Sequence, residues 1–351
     1  MKKSALWGAV LAFALPMMFA TATQAKTYNQ RGDALAFYNV NNFKTLANSK
    51  YTVGKYSYVT DYNSMTKPVT IRTKKGNKKS QMSTYLKLPG GQLGNTQSIA
   101  VTPDGHYAYV MSTVAPGSNT GQITRFNMQA LKKLKVKDLN TCLSGTSVLS
   151  KYKNYVKVGP KFNTGHGQSL AYNPKNKQLW FVGKNSINAN VQRVSTASLK
   201  PITKINFRLK STVAMGENLT FDKKGNAYFW GYSTGSWGSR SPKKSIKYYK
   251  GKIGSKSVKF NLVMQGIKNG PGAIPQAISY NPKSNRVYFI SDGSIMSIPA
   301  SKVGHLKNSD VKVSVFNTKR EFEGMSFTSN GEGYLLVHDV NELMKFNKGA
   351  I

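Results

Sequence analysis

The stretch QAISYNPKSNRVYFI (residues 276–290) contains two short runs of alternating apolar and polar residues, one on each side of an Asn-Pro-Lys-Ser segment. Alternation with a period of two is typical of β-strands that bury one face. In the segment between the runs, Pro fixes φ and Asn tolerates a positive φ, as a tight turn requires. The stretch therefore predicts a β-hairpin whose first strand is entered through Gln276.

The same pattern occurs five times along the chain. Each copy has Gln or Glu, a small or polar residue, an apolar residue, Ala, Ser or Thr, and then an aromatic residue or Val, followed by a polar turn and a second apolar strand. The copies are QSIAVTPDGHYAYV (97–110), QSLAYNPKNKQLWFV (168–182), ENLTFDKKGNAYFW (217–230), QAISYNPKSNRVYFI (276–290) and EGMSFTSNGEGYLLV (323–337). Units that recur roughly every 40–50 residues are typical of β-propeller blades, which have four strands each.

The number of repeats predicts an all-β, single-domain propeller of five or six blades over residues 26–351. The strand-like runs KYSYVTDYN, PVTIRT and TYLKLPG (within 55–90) predict a sixth, degenerate blade. The last unit has three runs, and we expect ALAFYNV (residues 34–40) to supply its fourth strand. Pairing of the N- and C-terminal segments would then close the ring and cover an exposed edge. MQALKKLKVKDL (residues 128–139) predicts one short helical insertion.

The N-terminus predicts export. Lys2 and Lys3 precede an apolar run, and Thr23 and Ala25 are small residues at the −3 and −1 positions of a cleavage site, so residues 1–25 are interpreted as a secretory signal peptide. No later apolar run approaches the roughly 20 residues that span a bilayer. The single cysteine, Cys142, cannot form an internal disulfide, and we interpret it as buried or tolerated. We expect an extracellular protein held non-covalently on the cell.

Positive charge dominates the composition. The chain has 51 Lys and Arg against 13 Asp and Glu, a net charge of +38, which falls to +36 without Lys2 and Lys3. Such a field attracts polyanions. Because the chain is expected to be exported, we predict anionic cell-wall polymers such as teichoic acids as partners, with nucleic acid bound only non-specifically. The alternative is a basic protein with no particular partner.

The polar residue that begins each repeat predicts a ring at one mouth of the channel, because the first strand of each blade lines the propeller axis. The candidate binding residues at this mouth are Gln97, His166, Gln168, Glu217, Gln276 and Glu323. The ring either holds a small polar ligand or satisfies backbone groups and channel water, and the second interpretation is favoured. Two carboxylates and three amides make a poor calcium site, since calcium takes six to eight oxygens. No metal or cofactor is expected.

The sequence assigns no catalytic residue. His106, His305 and His338 lack metal-ligand spacing. No Gly-x-Ser-x-Gly elbow and no phosphate-binding glycine loop is present.

The stretch YFWGYSTGSWGSRSPKK (residues 228–244) predicts an exposed glycopolymer-binding loop. It places Tyr232 and Trp237 among Gly and Ser, followed by Arg240, Lys243 and Lys244. Aromatic faces can stack on a sugar while cations pair with phosphate. The alternative is that Trp237 folds back onto a blade.

Four stretches resemble the helveticin J family, the large secreted bacteriocins of lactobacilli and related lactobacillar extracellular proteins. They are GKYSYVTDYNSMTKPVTIRTKKG (54–76), NTQSIAVTPDGHYAYVMSTV with GQITRFNM (95–128), ENLTFDKKGNAYFWG (217–231) and EFEGMSFTSNGEGYLLVHDVNELMKFN (321–347). The resemblance implies a propeller that acts at bacterial envelopes, with no catalytic residues to carry over.

Three functions fit these features. The first is a non-enzymatic, wall-associated protein that binds teichoic acids or a target-cell envelope. The second is a wall-glycan hydrolase or lyase in which His166, Glu217 and Glu323 converge at the channel mouth. The third is an adhesin that binds host glycans through the Trp237 loop.

Overall fold

The computed structural model describes residues 25–29, 46–47, 67–89, 93–139, 152–209, 214–232, 245–268, 270–272, 274–338 and 340–347. Most of these residues lie in β-strands. None of the helices within these ranges is long and apolar enough to cross a membrane. The predicted signal peptide before Ala25, the segment 34–40, the strand-like run KYSYVTDYN and Cys142 lie outside the described residues.

The strands are numbered along the chain. They are β1 (Lys26–Asn29), β2 (Leu46–Ala47), β3 (Thr70–Lys75), β4 (Gln81–Lys87), β5 (Asn95–Val101), β6 (Tyr107–Thr113), β7 (Thr120–Asn127), β8 (Val156–Val158), β9 (Phe162–Asn163), β10 (Ala171–Asn173), β11 (Gln178–Lys184), β12 (Asn188–Val194), β13 (Pro201–Arg208), β14 (Thr220–Phe221), β15 (Ala227–Tyr232), β16 (Ser245–Ile253), β17 (Val258–Lys268), β18 (Ala277–Asn281), β19 (Arg286–Ser291), β20 (Ser294–Pro299), β21 (Lys312–Phe316), β22 (Phe322–Phe327), β23 (Gly333–Val337) and β24 (Glu342–Phe346).

The strands form antiparallel units arranged around an axis. Within the described ranges the units are β5-β6-β7-β8 (with β9 also on β7), β10-β11-β12-β13, β14-β15-β16-β17, β18-β19-β20-β21 and β22-β23-β24-β4. Strands β1 and β2 extend the second and third units by parallel pairing at the outer edge. The innermost strands β5, β10, β14, β18 and β22 contact one another in a closed ring. The predicted all-β propeller fold is confirmed, and each sequence repeat is the first hairpin of a unit.

The upstream strands β3 and β4 do not form a unit of their own, so the prediction of a degenerate blade there is wrong for these strands. β4 pairs with β24 through Leu86 and Leu343, and β3 pairs with both β4 and β21, which joins the last two units into one sheet. An N-terminal segment thus completes the C-terminal unit, as expected. The position beside β24 belongs to β4 and not to residues 34–40, because Met82 and Leu86 bury their side chains there.

The predicted helical insertion is shorter than expected. Helix α1 spans Met128–Lys133 and is capped by Asn127, whose Oδ1 accepts from Ala130 N at 2.9 Å. Lys135 adopts φ 56°, which ends the helical path. Of the remaining apolar residues of the segment, Val136 and Leu139 pack in the core cluster that contains Leu86, whereas Leu134 is exposed.

The hydrophobic core lies between neighbouring units. Trp230 in β15 is fully buried, and its indole Nε1 donates to Ala277 O in β18 at 3.2 Å. The Trp230 ring meets Phe289 edge-on at 5.6 Å. Because each sheet buries its faces against the two sheets beside it, the large aromatic residues in the second strand of each repeat pack across units.

The turns that follow the innermost strands share one chemistry. Asn173, Asp222 and Asn281 each accept backbone N–H groups from their own turn through Oδ1. Adjacent turns also touch: Ser329 N donates to Pro103 O at 2.7 Å, and a Cβ at Gly331 (φ +85°) would lie 3.0 Å from the Lys283 side chain. These turns therefore surround the end of the channel opposite the strand entries.

Candidate functional site

Three of the predicted channel-mouth residues meet at the axis. Gln168 Nε2 donates to Gln276 Oε1 and, at 3.0 Å, to Glu323 Oε2. Gln276 Nε2 donates in turn to Asp292 Oδ1 at 2.9 Å. Each side chain comes from a different unit or loop, and all four residues are buried. The polar residues at the strand entries thus converge, as the repeat predicts, and they bond to one another.

The other two strand-entry residues do not join this cluster. Gln97 is buried, its Nε2 donates to Thr96 O at 3.4 Å, and its Oε1 has no partner among the described residues. Glu217 is half-buried at the rim, where Oε1 accepts from Asn185 Nδ2 and Oε2 lies 4.0 Å from His166 Nε2. The predicted ring is therefore divided into an axial cluster and an outer His166–Glu217 pair.

The axial cluster fits an architectural role. Its amides and carboxylates satisfy one another in a buried setting, where unpaired polar groups would be costly. Across the described residues, no three His, Cys, Asp or Glu side chains are placed to hold a metal ion. The cluster occupies the channel at this mouth and leaves the outer pair as the accessible part.

A groove of about 800 Å³ contains the His166–Glu217 pair. It lies between the segment that follows β7 and the outer part of the second unit. Four lysines line it, Lys161, Lys184, Lys200 and Lys204, and Glu217 is the one carboxylate among the described residues of its lining. These lysines form no ion pair with other described residues. The groove is therefore a concentrated site of positive charge.

Amide side chains form much of the groove surface. The amides are Asn119, Asn163, Asn185, Asn190 and Gln192. Gly183 creates room for two of them, because a Cβ at this position would lie 2.4 Å from both Asn190 Oδ1 and Gln192 Nε2. The half-buried Phe162 ring adds one apolar surface. Amides donate and accept hydrogen bonds, so the groove offers partners for hydroxyl groups as well as for anions.

The predicted binding loop is placed differently by the structure. Tyr232 is not an exposed loop residue: it is the last residue of β15, and its hydroxyl lies within hydrogen-bond distance of Gly270 O (2.9 Å) and Gly272 O (2.6 Å). Burial raises the pKa of this phenol. Its ring packs edge-on against Trp230, so it is not free to stack on a sugar. Trp237, Arg240, Lys243 and Lys244 lie outside the described residues.

No pattern in the sequence groups the four lysines of the groove. Lys161 precedes β9, Lys184 ends β11, and Lys200 and Lys204 flank the start of β13. Lysines occur in turns throughout the chain, so these four are distinguished only by their shared surface.

Comparison with known proteins finds similar solved structures but no family for this chain. No protein-family model matches it, and no curated protein sequence matches it significantly. Similar structures include a structural-genomics protein of unknown function from Bacteroides thetaiotaomicron (12% identity, TM-score 0.41, covering 71% of this chain and 58% of that one). Streptogramin B lyase (13%, 0.38, 76% and 97%) and the WD40 β-propeller domain of Doa1 (10%, 0.38, 76% and 97%) are also similar. These values assign no activity to this chain.

Proposed function

We propose that this protein is an exported, non-enzymatic propeller that binds anionic polymers of the bacterial envelope, with the phosphates of teichoic acids as ligands. The observation that carries the proposal is the groove, in which four lysines and five amides face one carboxylate in a chain of net charge +38. Lysine ammonium groups bind phosphate as point charges, and amides bind the hydroxyls of the polyol or sugar between phosphates.

The size of the groove suits a polymer segment. Small-molecule sites are typically about 300–1,000 Å³, and this groove of about 800 Å³ lies in the upper part of that range. Ala25 also lines it. Cleavage after Ala25, which the signal peptide predicts, would place the new α-amino group of Lys26 at the groove and add a positive charge there, since such groups have a pKa of about 8. Export and polymer binding would then be connected at one site.

Salt is expected to release the protein from cells. Binding that displaces counterions falls steeply as salt rises, and charges are screened within about 3 Å at 1 M salt. A concentrated lithium chloride wash should therefore strip the protein from intact cells. Acid should not, because protonating carboxylates near their usual pKa of about 4 makes the protein more positive. Retention in lithium chloride would contradict electrostatic attachment.

A wall-glycan hydrolase or lyase is the second candidate, and the His166–Glu217 pair in the groove is the observation that favours it. Purified walls incubated with the protein would then release sugar or peptide fragments. Glu217→Gln would abolish release. Glu323→Gln changes the buried axial cluster instead, and continued release by this variant would show that the effect of Glu217→Gln is catalytic and not structural. Unchanged walls with the wild-type protein would remove this candidate.

Two further hypotheses stay predictions. The resemblance to the helveticin J family implies killing of related bacteria, for which the envelope ligand would lie on a target cell. Binding of host glycans depends on Trp237, which lies outside the described residues.

A further inference from the structure

A second cavity, of about 120 Å³, opens at the turn end of the channel, opposite the axial cluster. All five innermost strands contribute equivalent positions of the repeat to it. The residues two positions after each strand-entry residue are aliphatic and buried: Ile99, Leu170, Leu219, Ile278 and Met325. This cavity shares no lining residue with the lysine-rich groove.

Aromatic side chains form the next layer of the wall. Four of the five equivalent positions are aromatic, and Val101 is the fifth: the aromatic residues are Tyr172, Phe221, Tyr280 and Phe327. Few polar side chains are present. Ser326 Oγ accepts from Val101 N at 2.9 Å, whereas Ser279, only 3% exposed, makes no side-chain hydrogen bond with the described residues. The cavity is therefore largely apolar, and the hydroxyls of Tyr172, Thr220 and Ser279 make no hydrogen bond with the described residues.

The rim of the cavity is preformed. It is built by the ring of turns, in which Ser329 bonds to Pro103 and the Gly331 backbone lies against Lys283. Pro174 and Pro282, which lie in two of these turns, are also at the rim. A rigid, preformed site reduces the entropic cost of binding.

Size and chemistry restrict the ligand. An apolar cavity of about 150 Å³ holds a benzene ring, so a cavity of about 120 Å³ limits the buried part of a ligand to at most one ring or a compact alkyl group. A bare hexose is excluded, because most of its hydroxyls would be buried without partners. Lys223 is the one charged residue of the lining, and it is exposed at the rim. Asp222 precedes Lys223 in the same turn and Asp104 lies in the turn of the first repeat, and each carboxylate is hydrogen-bonded within its own turn.

We propose that this axial pocket binds a small carboxylate carrying one aromatic or compact aliphatic group. The apolar group enters the layer formed by Phe221 and Tyr280, and the carboxylate remains at the rim beside Lys223. The pocket is separate from the lysine-rich groove, so it can be occupied while the groove binds a polymer.

Three probes test the proposal by calorimetric titration of the whole protein at constant ionic strength: phenylacetate, benzyl alcohol and acetate. Phenylacetate should bind saturably with one site, about fivefold more tightly than benzyl alcohol, which is the effect of one exposed ion pair. Acetate should neither bind nor compete. Absence of saturable phenylacetate binding to the wild-type protein would overturn the proposal.

Two pairs of variants locate the site. Ser279→Leu fills the pocket and should abolish binding of both ring compounds, whereas Ser279→Ala should retain it. Lys223→Gln should reduce the affinity for phenylacetate to that for benzyl alcohol, and Lys259→Gln, an equal charge change on the outer strand β17, should have no effect. Thermal unfolding reports whether Ser279→Leu folds. If this variant does not fold, the comparison of Lys223→Gln with Lys259→Gln still tests the proposal. If Lys223→Gln and Lys259→Gln lost phenylacetate affinity equally, the ligand would bind the general basic surface, and the proposed pocket would be wrong.

Discussion

Replacing the four groove lysines with glutamine (Lys161, Lys184, Lys200 and Lys204) is expected to weaken binding of purified teichoic acid about 10²- to 10³-fold at physiological salt. Each lysine that neutralises a phosphate releases a counterion, and on DNA each such contact contributes about 0.9 to the slope of log affinity against log salt. The slope should therefore fall by about three to four. Binding isotherms at several salt concentrations measure both quantities.

A charge-matched variant separates the groove from the overall field. Lys74, Lys75, Lys252 and Lys259 are exposed, lie outside the groove and form no ion pair with other described residues. Replacing these four with glutamine gives the same net charge as the groove variant. We expect a loss below about tenfold, because exposed charges farther than a Debye length from the ligand are largely screened. Equal losses in the two variants would show that the polymer binds the whole surface and that the groove has no special role.

Arg320→Met is expected to destabilise the fold by about 3–5 kcal/mol, the usual cost of removing one partner of a buried ion pair. Arg320 Nε donates to Glu342 Oε1, and both side chains are buried. Glu342 Oε2 accepts from Thr84 Oγ1 of β4 at 2.8 Å. The carboxylate therefore connects the N-terminal strand β4 with the C-terminal strand β24, where the ring closes. Urea unfolding, followed by fluorescence, measures the free energy of unfolding.

Two comparisons make this result specific. The double variant Arg320→Met, Glu342→Met removes both charges and should recover much of the lost stability, since apolar replacements of buried pairs are often neutral. Lys345→Met breaks a more exposed pair, in which Nζ lies 2.7 Å from Glu332 Oε1, and should cost less than about 1 kcal/mol. If Arg320→Met lowered the free energy of unfolding by less than about 1 kcal/mol, the buried pair would not hold the ring closed.

The hairpins and turns were predictable because their determinants are local. In residues 276–290, alternation of apolar residues defines two strands, and the structure places them at β18 and β19. Asn281 both ends β18 and caps the turn by accepting from Lys283 N at 3.0 Å. The same local rule, repeated along the chain, was enough to indicate a propeller.

The partners of the edge strands were not predictable in this way. The runs PVTIRT and TYLKLPG do form strands, β3 and β4, but the prediction that they belong to a separate blade is wrong. β4 instead pairs with β24, and its partner Leu343 is far away in the sequence. Short amphipathic strands bury equally well against many sheets, so the choice among edges depends on the shape of the assembled core. Tyr232 shows the same limit, because glycine and serine beside it suggested a loop while its hydroxyl is bound by Gly270 and Gly272.

The sequence by itself determined the repeating hairpin, the convergence of Gln168, Gln276 and Glu323, and the large positive charge, because each follows from residue type and short-range periodicity. Only the tertiary structure decided which strand closes the ring, that Glu217 pairs with His166 outside the axial cluster, and which lysines share a groove. The physical reason is that these contacts join segments far apart in the chain. Such segments meet only when the sheets have packed around a common axis, and no local pattern encodes that distance.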